Sequence, residues 1–481
     1  MREKLRKLSL PFWCLPLLLL IFSFLSYGIL SRKLGIYWDD WAYLWTRLEL
    51  GYEGLLRHFS FSRPVAGQIH NLAMLLTGKS PERIQLFGMV MRAAGAAMVA
   101  LLIRRTWKQN FSAAAGALLF IAYPGFTMQP IAINFSFSYF LIGILCLSFV
   151  LTLEAERHPV RRVPYTIFAL LLAAVNLFAS EYFFLLELLR PLFIWIRRKT
   201  RSNLRAQWGR TLKAELPYAV VFLSGTVYRA FFNRTQTLHY EFSLLESFQL
   251  DPAGTIGTYL GTIFSDCFKV LVSAWLRVFE FPDSATLGRQ TFLAYGMICV
   301  ALALLTGLFL AFLRKSAQDQ QKTVCFEMIG IGAISLLLAG QPFWLTGTYL
   351  SFVFQNSRYT LPFMLGVSLI GAGLLSLIRR PRILAIILTA VFVGLAGGSH
   401  FVNANEYRRD WTLTKDFFWQ LKWRVPTIAE NTVVITNVLP IRFSTDNSLT
   451  AALNWIYADR EQNPAVYADQ SMPYMLYTNT K

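Results

Sequence analysis

The sequence predicts an all-α polytopic membrane protein, on three observations. Apolar runs long enough to span a bilayer recur through the first 400 of its 481 residues. Only 15% of the chain is charged, against about 25% in soluble domains. The 46 Lys and Arg that give the net charge of +19 gather in short linkers between those runs, as in cytoplasmic loops. That distribution argues against a nucleic-acid partner. Cys14, Cys146, Cys267, Cys299 and Cys325 form no Cys-x-x-Cys pair and four lie in apolar runs, so neither a disulfide framework nor a zinc site is expected.

About eleven spans are expected. Arg2, Lys4, Arg6 and Lys7 put the N-terminus in the cytoplasm, and the run 11–30, too long for a signal-peptide core, reads as a retained anchor. Segment 31–83 follows outside, with a helix lying in the interface over 41–57 and a short interfacial or re-entrant stretch over 64–78. Its seven basic residues oppose that placement and its five acids offset them only partly. Spans 84–103, 111–127, 131–153, 164–181, 183–196 and 216–232 then alternate. Arg104, Arg105 and Lys108, then Arg157, Arg161 and Arg162, then the seven basic residues of 197–213 mark the cytoplasmic turns.

Segment 233–290 begins outside, and the next inside marker is Arg314-Lys315. Span 291–313 supplies the crossing, and 27 residues are too few for two more at about 20 each. Residues 255–281, with Asp266, Lys269 and Arg277 on one face, therefore read as an external interfacial helix. Spans 324–345, 360–378 (followed by Arg379, Arg380 and Arg382) and 383–400 complete the membrane domain, 1–400. The tail 401–481 is a small external segment with a helix (405–424), a strand (432–437) and a helix (448–458). One strand makes no sheet, so the tail is expected to lean on the membrane domain.

This topology gathers Asp39-Asp40, Arg63, Glu181 and Arg358 on the outer face. Ionisable groups at membrane depth are costly and mark function. Guanidinium forks match phosphate oxygens two at a time, and a carboxylate can take a proton from a hydroxyl. Together they suit attack by a hydroxyl on a carbon that carries a phosphate leaving group. Each residue also has a plainer reading. The acids stand where a helix cap would, Arg63 could snorkel to headgroups, Glu181 could cap a turn and Arg358 could anchor a span.

Asp39-Asp40 after the first span resembles the acidic pair in the first external loop of GT-C membrane glycosyltransferases, such as the protein O-mannosyltransferases and aminoarabinose lipid A transferases. Ser62-Arg63-Pro64, with Thr77-Gly78 beyond, is similar to the Arg-Pro element after that pair. Ala179-Ser180-Glu181, with Leu188-Leu189-Arg190-Pro191, is similar to the Ser-x-Glu element of a mid-chain hairpin. Asn356-Ser357-Arg358-Tyr359, with Pro362, is similar to the Arg-Tyr element before a late span. The motifs cover 1–400, and the tail carries none of them.

The resemblance implies a polyprenyl-phosphate sugar as donor and a lipid, glycan or protein hydroxyl as acceptor. It implies inversion at the anomeric carbon, on the outer face of the plasma or inner membrane. Asp39 aligns with the catalytic acid and Asp40 is the alternative. Arg63, Arg358 and Tyr359 would bind the donor phosphate, with Glu181 and Arg92 in support. Some members hold a divalent metal and others do not, so the cofactor stays open. Two other functions compete. A polymerase or ligase of lipid-linked glycans usually centres on a large late loop. A transporter or flippase should line a midplane path, for which Arg92 and Glu327 are the only candidates.

Overall fold

The computed structural model describes residues 9–60, 63–198, 204–231, 243–314, 322–378, 381–429, 432–436, 439, 441–457 and 474–477. Arg2 to Lys7, Ser62, residues 199–203, Lys315, Arg379, Arg380 and residues 458–473 of the tail lie outside them. Helices dominate: α1 (Leu15–Ser26), α2 (Asp39–Glu49), α3 (Gly51–Ser60), α4 (Ala66–Thr77), α5 (Pro81–Trp107), α6 (Asn110–Ala122), α7 (Ala132–Arg157), α8 (Arg162–Ala179), α9 (Arg190–Arg198), α10 (Leu204–Phe231), α11 (Pro252–Phe268), α12 (Arg289–Phe312), α13 (Lys322–Trp344), α14 (Met364–Leu377) and α15 (Arg382–Arg424). The tail adds β1 (Val433–Thr436), α16 (Asp446–Tyr457) and β2 (Tyr474–Tyr477). The chain is an all-α polytopic membrane protein.

Among the described residues, eight helical stretches are long and apolar enough to cross a membrane, and each falls on an expected span. The other three expected spans take different forms. Residues 111–127 become the 13-residue α6, 183–196 a 3-10 turn followed by α9, and 216–232 part of the 28-residue α10, which contains Pro217.

Local chemistry sets the boundaries. Ser80 caps α5 by accepting from Arg83 N, and Pro81 opens the helix where its missing N–H costs nothing. Lys108 ends α5 in the left-handed region, at φ 57°. Small residues set the packing. A Cβ on Gly332 of α13 would stand 2.8 Å from Gly366 O of α14, so only glycine permits that approach.

The bundle has two ends, and they group the loops as the basic-residue count expects. At one end the start of α7 meets residue 40, the start of α5 meets Gly35 and Pro130 through Gln85, and Glu181 meets Arg63. At the other, Arg105 at the end of α5 meets Glu154 at the end of α7, and Leu10 pairs with Phe312 and Arg314.

Two expectations are corrected. The helix expected at 405–424 continues the last span without a break, giving the 43-residue α15. The strand of the tail has a partner, since β1 pairs in parallel with β2 across α16. The face that Asp266, Lys269 and Arg277 share turns inward, with Lys269 Nζ donating to Leu350 O at 3.2 Å and Arg277 Nη1 to Phe352 O at 3.5 Å. Asp266 is buried and accepts from Trp344 Nε1 at 3.0 Å and from Lys269 Nζ at 2.9 Å, which binds this segment to the end of α13.

Candidate active site

The acid pair opens α2, where negative charge suits the helix dipole. The two acids have different surroundings. Asp40 is 1% exposed. Its Oδ2 accepts from Ile133 N and its Oδ1 from Asn134 N, both at 2.9 Å. Those amides belong to the first turn of α7, whose N-cap residue, Ile131, has no acceptor to offer. Asp40 therefore caps a helix, but one 90 residues further along the chain. Burial pushes its carboxyl up to about 8, against the pull of those two N–H groups.

Asp39 is half-buried. Burial raises its carboxyl above the ordinary range, while Arg358, the Asn447 amide and Arg63 pull it back down. Asn134 Nδ2 reaches its Oδ2 at 3.5 Å. Trp38, just before it, takes the left-handed region at φ 47°, which an aromatic residue enters only under about 1–3 kcal/mol of strain. Its N–H donates to Phe443 O of the tail at 3.1 Å.

Arg358 stands in a 3-10 stretch, Asn356–Phe363, entered through Gln355 at φ 71°. Its guanidinium lies 4.9 Å from the ring centres of both Trp38 and Tyr359, and its Nη2 donates to the Tyr359 hydroxyl at 2.9 Å. Its Nε is buried and makes no hydrogen bond among the described residues. An orphaned buried donor calls for an acceptor.

Arg63 arrives already paired. Its Nε donates to Glu181 Oε2 at 3.1 Å and its Nη2 to Glu181 Oε1, and Arg229 stands 3.8 Å from the same carboxylate. Burial would raise the Glu181 carboxyl, but Arg63 and then Arg229 hold it down at about 2. Among the described residues Arg63 Nη1 donates no hydrogen bond, which leaves one terminal nitrogen for a ligand. Burial, and after it Arg63, lowers His70 to about 3, so this histidine adds no charge.

The structure thus brings Asp39, Arg63, Glu181, Arg358 and Tyr359 to one end of the bundle, with Asp40 immobilised behind them. Arg92 is elsewhere. It is fully buried, and none of its hydrogen bonds among the described residues reaches that cluster. Its Nε and Nη2 donate to Ile121 O at 2.9 and 2.6 Å, where α6 stops short. Beyond it the irregular, buried chain has its carbonyls taken in the same way, Ala122 O by His400, Thr127 O by Asn403 and Pro130 O by Gln85. Broken helix at membrane depth needs such partners. Arg92 is one of them.

Sequence reasoning missed Asn134 and Asn447 beside Asp39, and Tyr43 and Tyr182 beside Arg63. None sits in a recognisable motif. Asn447, on α16, is accessible only through the fold of the tail. Its Oδ1 accepts from Thr445 Oγ1 at 2.7 Å, so its NH2 is the side left to face the acid.

Both oxygens of Asp40 hold α7, Glu181 is held by Arg63, and among the described residues no three His, Cys, Asp or Glu converge on a metal site. A cavity of about 420 Å³, lined in part by Arg277, Glu280, Asn403, Glu406 and Arg442, lies behind Phe354 and Phe443 and includes none of the acid–arginine cluster.

No known family profile and no curated protein sequence matches the chain. Among solved structures it is similar to ArnT from Cupriavidus metallidurans in the apo state, with a TM-score of 0.43 and 16% identity over 94% of this chain and 87% of that one. It is also similar to the Archaeoglobus fulgidus oligosaccharyltransferase in complex with zinc and sulfate, with a TM-score of 0.39 and 13% identity over 82% of this chain and 53% of that one.

Proposed function

We propose that this protein is an inverting membrane glycosyltransferase that moves a sugar from a polyprenyl-phosphate donor to an acceptor hydroxyl on the outer face of the membrane. The observation that carries the reading is the contrast within the acid pair. Asp40 is immobile and fully hydrogen-bonded, while Asp39 is partly open, beside an arginine whose buried Nε lacks an acceptor. The donor class comes from the motif resemblance.

The chemistry follows from these positions. The acceptor hydroxyl gives its proton to Asp39 as its oxygen bonds to the anomeric carbon. The bond from that carbon to the phosphate oxygen breaks, and the polyprenyl phosphate leaves with the electron pair. Arg358, with the free nitrogen of Arg63, takes up the charge on the phosphate. Attack opposite the leaving group inverts the carbon. Against a transport path, Arg92 is occupied by carbonyls and Glu327 accepts from Trp107 Nε1 at 3.0 Å.

The test is to purify the full chain and measure which polyprenyl-phosphate sugar it consumes. Asp39→Asn should fold and bind donor yet lose about 10²–10⁴-fold in transfer. Burial raises the Asp39 carboxyl, and only its ionised form is a base. Transfer should therefore fall with acidification in a range above the ordinary carboxylate pKa of about 4. Unchanged turnover in Asp39→Asn would remove the base from the mechanism.

A further inference from the structure

At the end of the bundle opposite the acid–arginine cluster, five basic residues surround one cavity. Asp40 binds the first turn of α7 and Arg157 stands at its last residue, 24 residues on, or about 36 Å at 1.5 Å per residue. There a cavity of about 560 Å³ is lined by Trp13, Arg104, Arg105, Lys108, Asn110, Arg157 and Arg314. They come from the start of the first span, the end of α5, the start of α6, the end of α7 and the chain just past α12.

Basic residues at this end orient the spans during insertion, and cations suit the ends of α5 and α7. Both roles need only their presence. Here three of the five basic side chains, those of Arg104, Arg105 and Arg157, are also held in place. The Arg104 guanidinium lies 4.5 Å from the Phe12 ring centre and 5.0 Å from that of Trp13, and its Nε donates to Asn110 Oδ1 at 3.1 Å. Asn110 Nδ2 in turn donates to Arg314 O at 2.9 Å. Arg157 and Arg105 share the carboxylate of Glu154, at 2.8 and 3.1 Å, and Arg157 Nε is buried without a hydrogen-bond partner among the described residues. The lining itself contains no acid.

We propose that this cavity binds the phosphate-bearing headgroup of an anionic membrane lipid. Its volume is within the ordinary range for small-ligand sites. Basic pockets between spans at a cytoplasmic surface recognise such headgroups. Trp13, 64% exposed at the rim, is an amphipathic residue suited to the headgroup level. The inference is independent of the glycosyltransferase reading.

Native mass spectrometry of the detergent-purified full chain tests it, with phosphatidylglycerol, phosphatidylcholine and inorganic phosphate as separate probes. Phosphatidylglycerol should be retained over phosphatidylcholine. Arg104→Gln and Arg314→Gln should each weaken it about fivefold, at roughly 1 kcal/mol per cation near a membrane surface. Arg161→Gln, at the same end but outside the cavity, should leave retention unchanged. If Arg104→Gln fails to fold, Arg314→Gln and a salt titration of the unaltered protein carry the test, with retention expected to fall as salt screens the charges. Equal retention of both lipids would overturn the proposal, as would an equal loss in Arg161→Gln. Protection by inorganic phosphate alone as strong as that by the lipid would make the ligand a free anion and overturn the lipid assignment.

Discussion

Asp39 and Asp40 are neighbours in sequence with opposite surroundings, and substitution should separate them. Asp40→Asn keeps the shape but puts an NH2 against one of two buried backbone donors. The stranded donor should cost about 1–3 kcal/mol, read as a lower unfolding temperature. Asp39→Asn should leave that temperature alone. For Arg358, lysine should fail almost as badly as alanine in donor affinity, because an ammonium cannot replace a fork held between two aromatic rings. Full affinity in Arg358→Lys would assign the phosphate to another residue. The sequence pointed to the adjacent acids and to Arg358 because each stands in a motif beside an apolar run. The resemblance put Asp39 ahead of Asp40, but the sequence could not supply the physical ground, since the amides that fix Asp40 lie 93 and 94 positions away. Nor could it show that Glu181 would occupy Arg63.

At the level of elements, the spans were legible wherever hydrophobicity and helix length coincide. They were not legible where the helix stops early. Residues 111–127 are apolar throughout, yet α6 ends at Ala122 and the chain continues irregularly inside the protein. What permits this is a set of side chains on other helices, and composition along one segment cannot show them. Arg92 thus reads as a functional charge in the sequence and as a cap in the fold. Arg92→Met should strand the Ile121 carbonyl and lower the unfolding temperature, by about 1–3 kcal/mol for the lost acceptor bonds. Folded Arg92→Met protein should keep normal turnover per molecule. A selective loss of turnover at unchanged stability would return Arg92 to the site.

For the molecule as a whole, the side of the membrane is the decisive prediction. Val160, 97% exposed, lies at the basic end and Arg424 at the end of α15, toward the tail. In intact cells a membrane-impermeant thiol reagent should label Arg424→Cys and spare Val160→Cys until the membrane is opened. Labelling of both from one side would invalidate the outer-face site. The tail was the least legible part because its partners are remote. Trp41 packs edge-on to Trp455 at 5.8 Å, and Tyr407 stacks on Phe443 at 3.6 Å.

The 43 residues of α15 make one rod about 64 Å long. Along it Asp410 accepts from the Arg442 and Phe443 amides, and Phe443 O holds the Trp38 amide. Such a rod converts length into bearing. One residue inserted near Ser399 would swing everything beyond it by about 100° around the axis, turning Asp410 away from the Arg442 and Phe443 amides. A gain of three or four residues would nearly restore the heading while lifting the tail by about one helical pitch. The spacing between the last span and Asp410 therefore acts as a compass setting for the acid.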